Sequence, residues 1–168
     1  MRAKYLTTTP LQTKKLGEIL AKEVLKTKLK KRALIIGLEG DLGGGKTTFL
    51  QGFAKGLGIK EKILSPTFII MKKFSIINYQ VPTKVEKKKI FFDSQFSNFY
   101  HIDCYRISRP KEILGLGFKE IISNPKNIIT IEWADRIDKI LPAETIIINF
   151  ELINQKTRKI TIGFKNDS

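Results

Sequence analysis

The chain has 168 residues, of which 42% are hydrophobic and 28% are charged, as in an ordinary globular domain with its own core. A single cysteine and a single histidine exclude an internal disulfide and a metal centre built from several such side chains. The formal net charge of +15 predicts attraction to RNA or to an acidic protein surface. A genome of biased composition would explain the abundant lysine equally well.

We predict one domain spanning residues 1–168. The first residues contain no apolar core long enough for a signal peptide, and no stretch approaches the length of a membrane-spanning helix. We therefore expect a cytoplasmic protein with no membrane partner.

The N-terminal segment predicts a short strand over residues 4–9, followed by an amphipathic helix. Thr9 is the expected N-cap, Pro10 occupies the first helical position, and Gln12 completes a capping box. The lysines of this helix fall mostly opposite its apolar stripe, so we expect a solvated face.

The motif around which the chain is organised is GDLGGGKTT, residues 40–48, called the glycine loop below. Its spacing, G-x-x-x-x-G-K-[ST], is that of a phosphate-binding P-loop, and it lies between an apolar strand and a helix that ends near Gly58. Glycines allow backbone N–H groups to turn towards phosphate oxygens. Lys46 would contact the β- and γ-phosphates and Thr47 would ligate Mg²⁺. The predicted nucleotide contacts are Asp41, Leu42, Gly43, Gly44, Gly45, Lys46, Thr47 and Thr48.

The next segment, Ser65-Pro66-Thr67-Phe68, leads into a predicted strand that ends at Met71. Its hydroxyl groups indicate either a simple turn, which the residues alone favour, or a segment that senses the γ-phosphate. Residues 75–97 are predicted to be a loop insertion with a lysine run. Such a run is usually a solvated surface, and contact with phosphates is the minor alternative.

Two later strands are predicted to end near carboxylates. The first covers Asn98–Arg106, and alternation places Phe99, His101, Asp103 and Tyr105 on one of its faces. The second covers Asn127–Trp133 and contains Glu132. An apolar strand that ends in an acid is typical of the carboxylate that organises Mg²⁺ beside a P-loop. Short helices are predicted after Pro110, over Phe118–Ile122 and over Ala134–Ile140.

The alternation of strands and helices predicts a parallel sheet with right-handed crossovers. Two terminal runs, Thr145–Leu152 and Arg158–Phe164, predict an antiparallel hairpin with a turn near Asn154. The predicted fold class is therefore α/β, a P-loop NTPase-like three-layer sandwich. Its mixed sheet should have a parallel core flanked by antiparallel strands.

The chain resembles the TsaE (YjeE) family, the small P-loop ATPases of bacterial tRNA threonylcarbamoyladenosine biosynthesis. The resemblance rests on four motifs in the family's order and on the terminal hairpin, so it covers nearly the whole chain. The motifs are GDLGGGKTT at 40–48, SPTF at 65–68, YHIDCYR at 100–106 and IEWADR at 131–136. Two departures are a cysteine, Cys104, at a position usually filled by leucine, and a longer segment between the second and third motifs.

The resemblance implies catalytic roles for Lys46, Asp103 and Glu132. Lys46 would hold the phosphates, Asp103 would position or polarise the attacking water, and Glu132 would join Thr47 at the metal. It also implies nucleotide contacts from Thr67, near the γ-phosphate, and from Trp133, which matches a family tryptophan beside the site. Arg106 and Arg136 are candidates for a stabilising arginine in cis.

The implied activity is hydrolysis of ATP with Mg²⁺, weak alone and supported by a TsaB–TsaD-like protein complex, with any tRNA contact indirect. Two alternatives from other classes stay open. A small-molecule or nucleoside kinase shares the size and the P-loop, although residues 75–97 offer lysines rather than the usual arginine-rich lid. A basic RNA-binding module could hold nucleotide as a structural ligand only.

Overall fold

The structure is a computed structural model that describes residues 2–64, 69–76, 80–81, 90–91 and 95–166. Strands and helices alternate through the middle of the chain, as the sequence predicts. In chain order the elements are β1 (Ala3–Thr7), α1 (Pro10–Leu25), β2 (Leu34–Glu39), α2 (Lys46–Gly56), β3 (Met71–Ser75), β4 (Gln80–Val81), β5 (Ile90–Phe91), β6 (Asn98–Asp103), α3 (Pro110–Leu114), α4 (Phe118–Ser123), β7 (Asn127–Glu132), a 3-10 helix (Ala134–Ile140), β8 (Ile146–Leu152) and β9 (Arg158–Phe164).

The main sheet has seven strands in the order β1-β9-β8-β2-β7-β6-β3. Its centre is parallel, because β2 pairs in parallel with both β7 and β8, and β6 pairs in parallel with β7. The flanking pairs β1–β9, β8–β9 and β3–β6 are antiparallel. The predicted mixed sheet, with a parallel core between antiparallel strands, is confirmed.

Helices cover both faces of the sheet. One face packs against α1 and α2 through an apolar cluster that includes Ile36, Leu38, Phe49, Phe53, Phe99, Ile128 and Ile148. The opposite face packs through a second cluster that includes Ile35, Ile102, Ile113, Phe118, Ile129, Ile131 and Ile137, with α3, α4 and the 3-10 helix as the covering layer. Successive strand residues alternate between the clusters, as a sheet buried on both faces requires. The predicted three-layer architecture is therefore confirmed.

Close packing between α1 and α2 fixes the helix that follows the glycine loop. A Cβ atom at Gly52 would lie 1.9 Å from the Lys14 carbonyl oxygen, and one at Gly17 would lie 2.2 Å from the Phe49 carbonyl oxygen. The two backbones approach so closely that only glycine fits at either position. The first helix is thus a rigid support for α2.

The start of α1 follows the predicted capping pattern with one difference. The Gln12 N–H donates to Thr9 Oγ1 at 3.2 Å, so Thr9 is the N-cap. The Gln12 side-chain oxygen accepts from the Thr8 N–H at 2.7 Å, one residue before the N-cap that the capping box predicts. Both side chains, those of Thr9 and Gln12, thus accept a backbone hydrogen bond at the helix start.

The predicted strand ending at Met71 is wrong, because β3 begins there and continues to Ser75. Ile69 and Ile70 precede the strand, and Ser65–Phe68 lie outside the described residues. The antiparallel register with β6, from Met71 opposite Ile102 to Ser75 opposite Asn98, sets these bounds. An edge strand of this kind needs few apolar residues, so the apolar run was a misleading signal.

The predicted loop over residues 75–97 is only partly correct. Ser75 belongs to β3, and the two-residue strands β4 and β5 pair in antiparallel fashion, with Gln80 opposite Phe91. The lysine run between them lies outside the described residues. In the part of the chain that the structure describes, no helix is both long and apolar enough to cross a membrane.

Candidate active site at the carboxyl edge of the sheet

The parallel strands bring the predicted site residues to one edge of the sheet. The glycine loop follows β2, Asp103 ends β6, and Glu132 ends β7. In the parallel ladder, Asp103 lies opposite Glu132. We call this end of the strands the carboxyl edge. Ligands of open α/β sheets bind at this edge, in the crevice beyond the strands.

The glycine loop has a conformation that depends on glycine. Gly40, Gly43 and Gly45 have positive φ angles of 118°, 77° and 105°. A Cβ at Gly40 would also lie 2.1 Å from the Phe150 carbonyl oxygen, so the loop is held against the end of β8. Around Gly43, a Cβ would meet nothing within 4 Å, which leaves room for a ligand beside the backbone.

The amino end of α2 carries no side-chain cap. Gly45 is the N-cap residue in a left-handed conformation, and among the described residues no side chain caps the first turn of the helix. Such N–H groups, together with the helix dipole, form an anion site. A phosphate group would provide the missing acceptor.

Lys46 lies inside the loop and is 5% exposed. Its ammonium donates to the carbonyl oxygens of Gly40, at 2.5 Å, and Asp41, at 2.9 Å. Burial lowers the pKa of Lys46, while the charges of Glu132 and then Asp103 act in the opposite direction. The ammonium is held by neutral carbonyl groups, which an anionic phosphate oxygen would replace with a stronger partner.

Glu132 lies between a hydroxyl and an imidazole. Thr47 Oγ1 donates to Glu132 Oε2 at 2.8 Å, and His101 Nε2 lies 2.9 Å from Glu132 Oε1. Glu132 and His101 are 2% and 1% exposed, respectively. Both carboxylate oxygens therefore have fixed directions, which orients the group towards the first turn of α2.

Asp103 is 9% exposed, and its Oδ1 accepts from the Tyr105 N–H at 2.9 Å. This bond closes the turn after β6 and fixes the side chain at the strand end. The predicted strand to Arg106 is thus too long, because β6 ends at Asp103. Tyr105 consequently leaves the predicted face, is 47% exposed and packs against Trp133, with 5.1 Å between the ring centroids.

Trp133 also contacts the Lys46 ammonium. The Lys46 ammonium lies 3.9 Å from the centroid of the indole ring, a cation–π distance. The backbone of Trp133 is left-handed, with φ of 59°, where β7 turns into the 3-10 helix. Arg136 lies 5.7 Å from the same ring, so this candidate arginine borders the site.

The structure thus brings together the predicted residues Lys46, Thr47, Asp103, Glu132 and Trp133. Other predicted contacts surround them: Asp41, Leu42 and Gly43 are exposed, Gly44 is buried, and Gly45 and Thr48 are partly buried. Thr67 lies outside the described residues. Their roles as ligands remain predictions.

The sequence reasoning did not assign a site role to His101. Alternation placed its side chain on the same strand face as Asp103, but it gave no partner for the imidazole. The partner, Glu132, lies on β7, 31 residues further along the chain. It lies opposite Asp103 in the ladder, two positions beyond Thr130, which lies opposite His101. Only the register of β6 and β7 reveals this contact.

The arrangement fits a magnesium nucleotide. Among the described residues, no group of three or more His, Cys, Asp and Glu side chains could enclose a metal. Mg²⁺ does not require one, because it usually binds through one or two protein oxygens, phosphates and water. Thr47 Oγ1 and the Glu132 carboxylate are hard oxygen donors that already lie side by side.

The chain is similar in sequence to proteins of a known family. Residues 7–160 match the family model for the threonylcarbamoyl adenosine biosynthesis protein TsaE. The TsaE of Bacillus subtilis is 33% identical over 158 residues, which cover 94% of this chain and 83% of that protein. The TsaE of Rickettsia felis is 32% identical over 152 residues, covering 90% and 74%, respectively.

A solved structure shows the same fold. The crystal structure of Bacillus subtilis YdiB superposes with a TM-score of 0.68 at 30% identity, covering 96% of this chain and 84% of that one. Because the family model matches residues 7–160, most of its length, the chain belongs to the TsaE family of threonylcarbamoyladenosine biosynthesis proteins.

Proposed function

We propose that the protein is an ATPase that binds ATP with Mg²⁺ and hydrolyses it in support of a TsaB–TsaD-like complex. That complex would make threonylcarbamoyladenosine next to the anticodon of tRNA, with any tRNA contact of this chain made through its partners. The observation that carries the proposal is the Thr47–Glu132 pair at 2.8 Å, directly after a buried Lys46 within a glycine loop.

The loop residues would bind the triphosphate. The N–H groups of Gly43–Thr48 and the Lys46 ammonium would contact its oxygens and offset the charge that develops on the transferring group. Lys46 would exchange its carbonyl partners for phosphate oxygens. Since this side chain is already buried and directed into the loop, little further ordering is needed.

Thr47 and Glu132 would hold the metal. When bound, Mg²⁺ would withdraw charge from the phosphate oxygens. His101 fixes the Glu132 carboxylate by its contact with Oε1. Asp103, at the end of the adjacent strand, would accept a hydrogen bond from the attacking water and so orient it.

The surroundings of the site support the proposed dependence on a partner. Arg136 is exposed, and its guanidinium lies over the rings of Trp133 and Tyr105, at 5.7 and 5.6 Å from their centroids. A stabilising arginine contributes about 10³- to 10⁵-fold to such reactions. Docking of a partner that redirects this side chain, or that supplies one of its own, would explain weak hydrolysis by the isolated chain.

The experiment compares the wild-type protein with Lys46→Ala and a matched control. Lys55→Ala removes an exposed lysine from the same helix. The Lys55 ammonium lies 3.4 Å from Glu18 Oε2, and its side chain is 76% exposed. ATP binding is measured by calorimetry and phosphate release by a coupled assay, with and without the purified TsaB–TsaD-like complex. We expect Lys46→Ala to abolish both, Lys55→Ala to retain both, and the complex to stimulate hydrolysis by at least tenfold. Absence of ATP binding, or of stimulation, would refute the proposal.

A further inference from the structure

Three leucines are exposed around the glycine loop. Leu11, Leu42 and Leu152 are 76%, 72% and 49% exposed, and we call them the leucine patch. Single exposed leucines are common on protein surfaces, so no one of them is informative. Their position relative to one another is what requires an explanation.

The sheet topology and the start of α1 place all three at the carboxyl edge. Leu152 ends β8, which is parallel to β2, and Leu42 follows β2 in the glycine loop. Because β9 is antiparallel to both β8 and β1, the end of β1 also lies there, with Leu152 and Thr7 both opposite Arg158. Leu11 lies in the first turn of α1, shortly after β1 ends at Thr7.

Contacts connect the leucine patch to the glycine loop. A Cβ at Gly44 would lie 3.4 Å from Phe150 Cβ, and one at Gly45 would lie 3.7 Å from Thr13 Cγ2. Thr13 Oγ1 in turn lies 2.8 Å from Thr7 Oγ1. Each leucine is within two residues of one of these contacting positions. The patch therefore borders the nucleotide site on the side of α1 and β8.

The charges beside the patch are mostly basic. Within four residues of a patch leucine, the exposed charged side chains are the basic Lys14, Lys15 and Lys156 and the acidic Asp41 and Glu151. The cross-strand partners of Leu152 and Glu151 add Arg158 and Lys159. Glu151 is already paired with Lys159 at 2.5 Å. The chain as a whole has a formal net charge of +15. A second copy would bring like charges together, whereas a surface bordered by carboxylates would complement them.

We propose that the leucine patch is the docking surface for a partner protein whose contact area is apolar and bordered by Asp and Glu side chains. Apolar contact at the patch provides affinity, and the surrounding lysines provide orientation and association rate. Leu42 belongs to the glycine loop, so a partner seated there contacts the loop that we propose for nucleotide binding. The inference deepens the proposed function, on which it rests for the identity of the partner, the TsaB–TsaD-like complex.

The test measures binding of that purified complex by calorimetry in the presence of ATP and Mg²⁺. The double variant Leu11→Ser/Leu152→Ser changes two patch residues that we do not place in the nucleotide site. Leu116→Ser is the matched control, because Leu116 is 46% exposed and follows α3 on the other face of the sheet. Circular dichroism and ATP binding by the isolated variants establish that the fold and the nucleotide site are intact.

We expect the double variant to raise the Kd for the complex at least tenfold, the control to leave it within twofold, and the wild-type Kd to rise with salt. Equal binding by both variants overturns the docking surface while the proposed function stands. No binding by the wild-type protein overturns the partner assignment and this inference together. A wild-type dimer that the double variant converts to a monomer assigns the patch to a second copy, and vesicle binding lost in that variant assigns it to a membrane. Either result overturns the proposal.

Discussion

Replacing His101 with alanine removes the imidazole that contacts one oxygen of the buried Glu132 carboxylate. The two atoms, His101 Nε2 and Glu132 Oε1, are 2.9 Å apart, and both side chains are at most 2% exposed. Water cannot easily replace the lost partner at such a position. We expect the variant to fold but to be less stable.

The magnitude follows from the burial and the charge of the acceptor. A hydrogen bond to a charged group contributes about 1.5–3 kcal/mol net, and an acceptor left unsatisfied in the interior costs a similar amount. The second carboxylate oxygen keeps its bond from Thr47. We therefore expect a loss of about 2–3 kcal/mol in the free energy of unfolding from the hydrogen bond, with a further contribution from the vacated volume.

A double-mutant cycle separates these contributions. His101→Ala is made in the wild-type background and in a Glu132→Ala background, where no carboxylate is left to satisfy. Packing losses appear in both, and the difference isolates the pair, for which coupling energies of about 0.5–3 kcal/mol are typical. Urea unfolding followed by circular dichroism and by the fluorescence of Trp133, the single tryptophan, gives the four free energies.

His101→Gln is the conservative control, because its side-chain amide can donate to the same oxygen. It should recover part of the stability that alanine loses. If His101→Ala costs the same in both backgrounds, and glutamine recovers nothing, the imidazole serves only as packing. The role that we assign to it would then be wrong.

Three further perturbations test the packing and the electrostatics of the structure. Gly52→Ala should lower the free energy of unfolding in urea by about 1–3 kcal/mol, because its Cβ would lie 1.9 Å from the Lys14 carbonyl oxygen. Burial raises the pKa of Cys104 to about 12 from a usual 9.0. At pH 8 its thiolate fraction, and the rate of labelling by iodoacetamide, should therefore be about a thousandfold lower than for a cysteine with the usual pKa. Burial, and then repulsion from two aspartates, raises the pKa of Glu39, so Glu39→Gln should be more stable than wild type at pH 7.

Each of these has an internal control. Gly115→Ala should be nearly neutral, since the closest atom to its Cβ would be 3.6 Å away. Cys104 should react at an ordinary rate in urea, and equal rates in the native state would contradict its burial. The raised pKa of Glu39 means that its ionised form costs stability above the unfolded pKa. The advantage of Glu39→Gln should therefore shrink as the pH falls towards 4, and a difference independent of pH would contradict the electrostatic reason.

Local patterns predicted much of the fold. The cap at Thr9, the glycine loop, the helices after Pro110 and Gly117 and the terminal hairpin depend on neighbouring residues, and each is found where the sequence indicates. The predictions that fail concern strand bounds that depend on long-range contacts. The edge strand β3 takes its bounds from its register with β6, and β6 ends at Asp103 because the chain turns there.

By itself, the sequence determined that a phosphate-binding loop lies between a strand and a helix, and that carboxylates follow two later strands. It did so because glycine conformation, helix capping and apolar periodicity are encoded within a few residues. Only the tertiary structure decided which side chains meet. The parallel register of β2, β6 and β7 brings Thr47, His101 and Glu132 together, and the packing of the 3-10 helix brings Trp133 over Lys46. These contacts join residues far apart in the chain, so no local pattern specifies them.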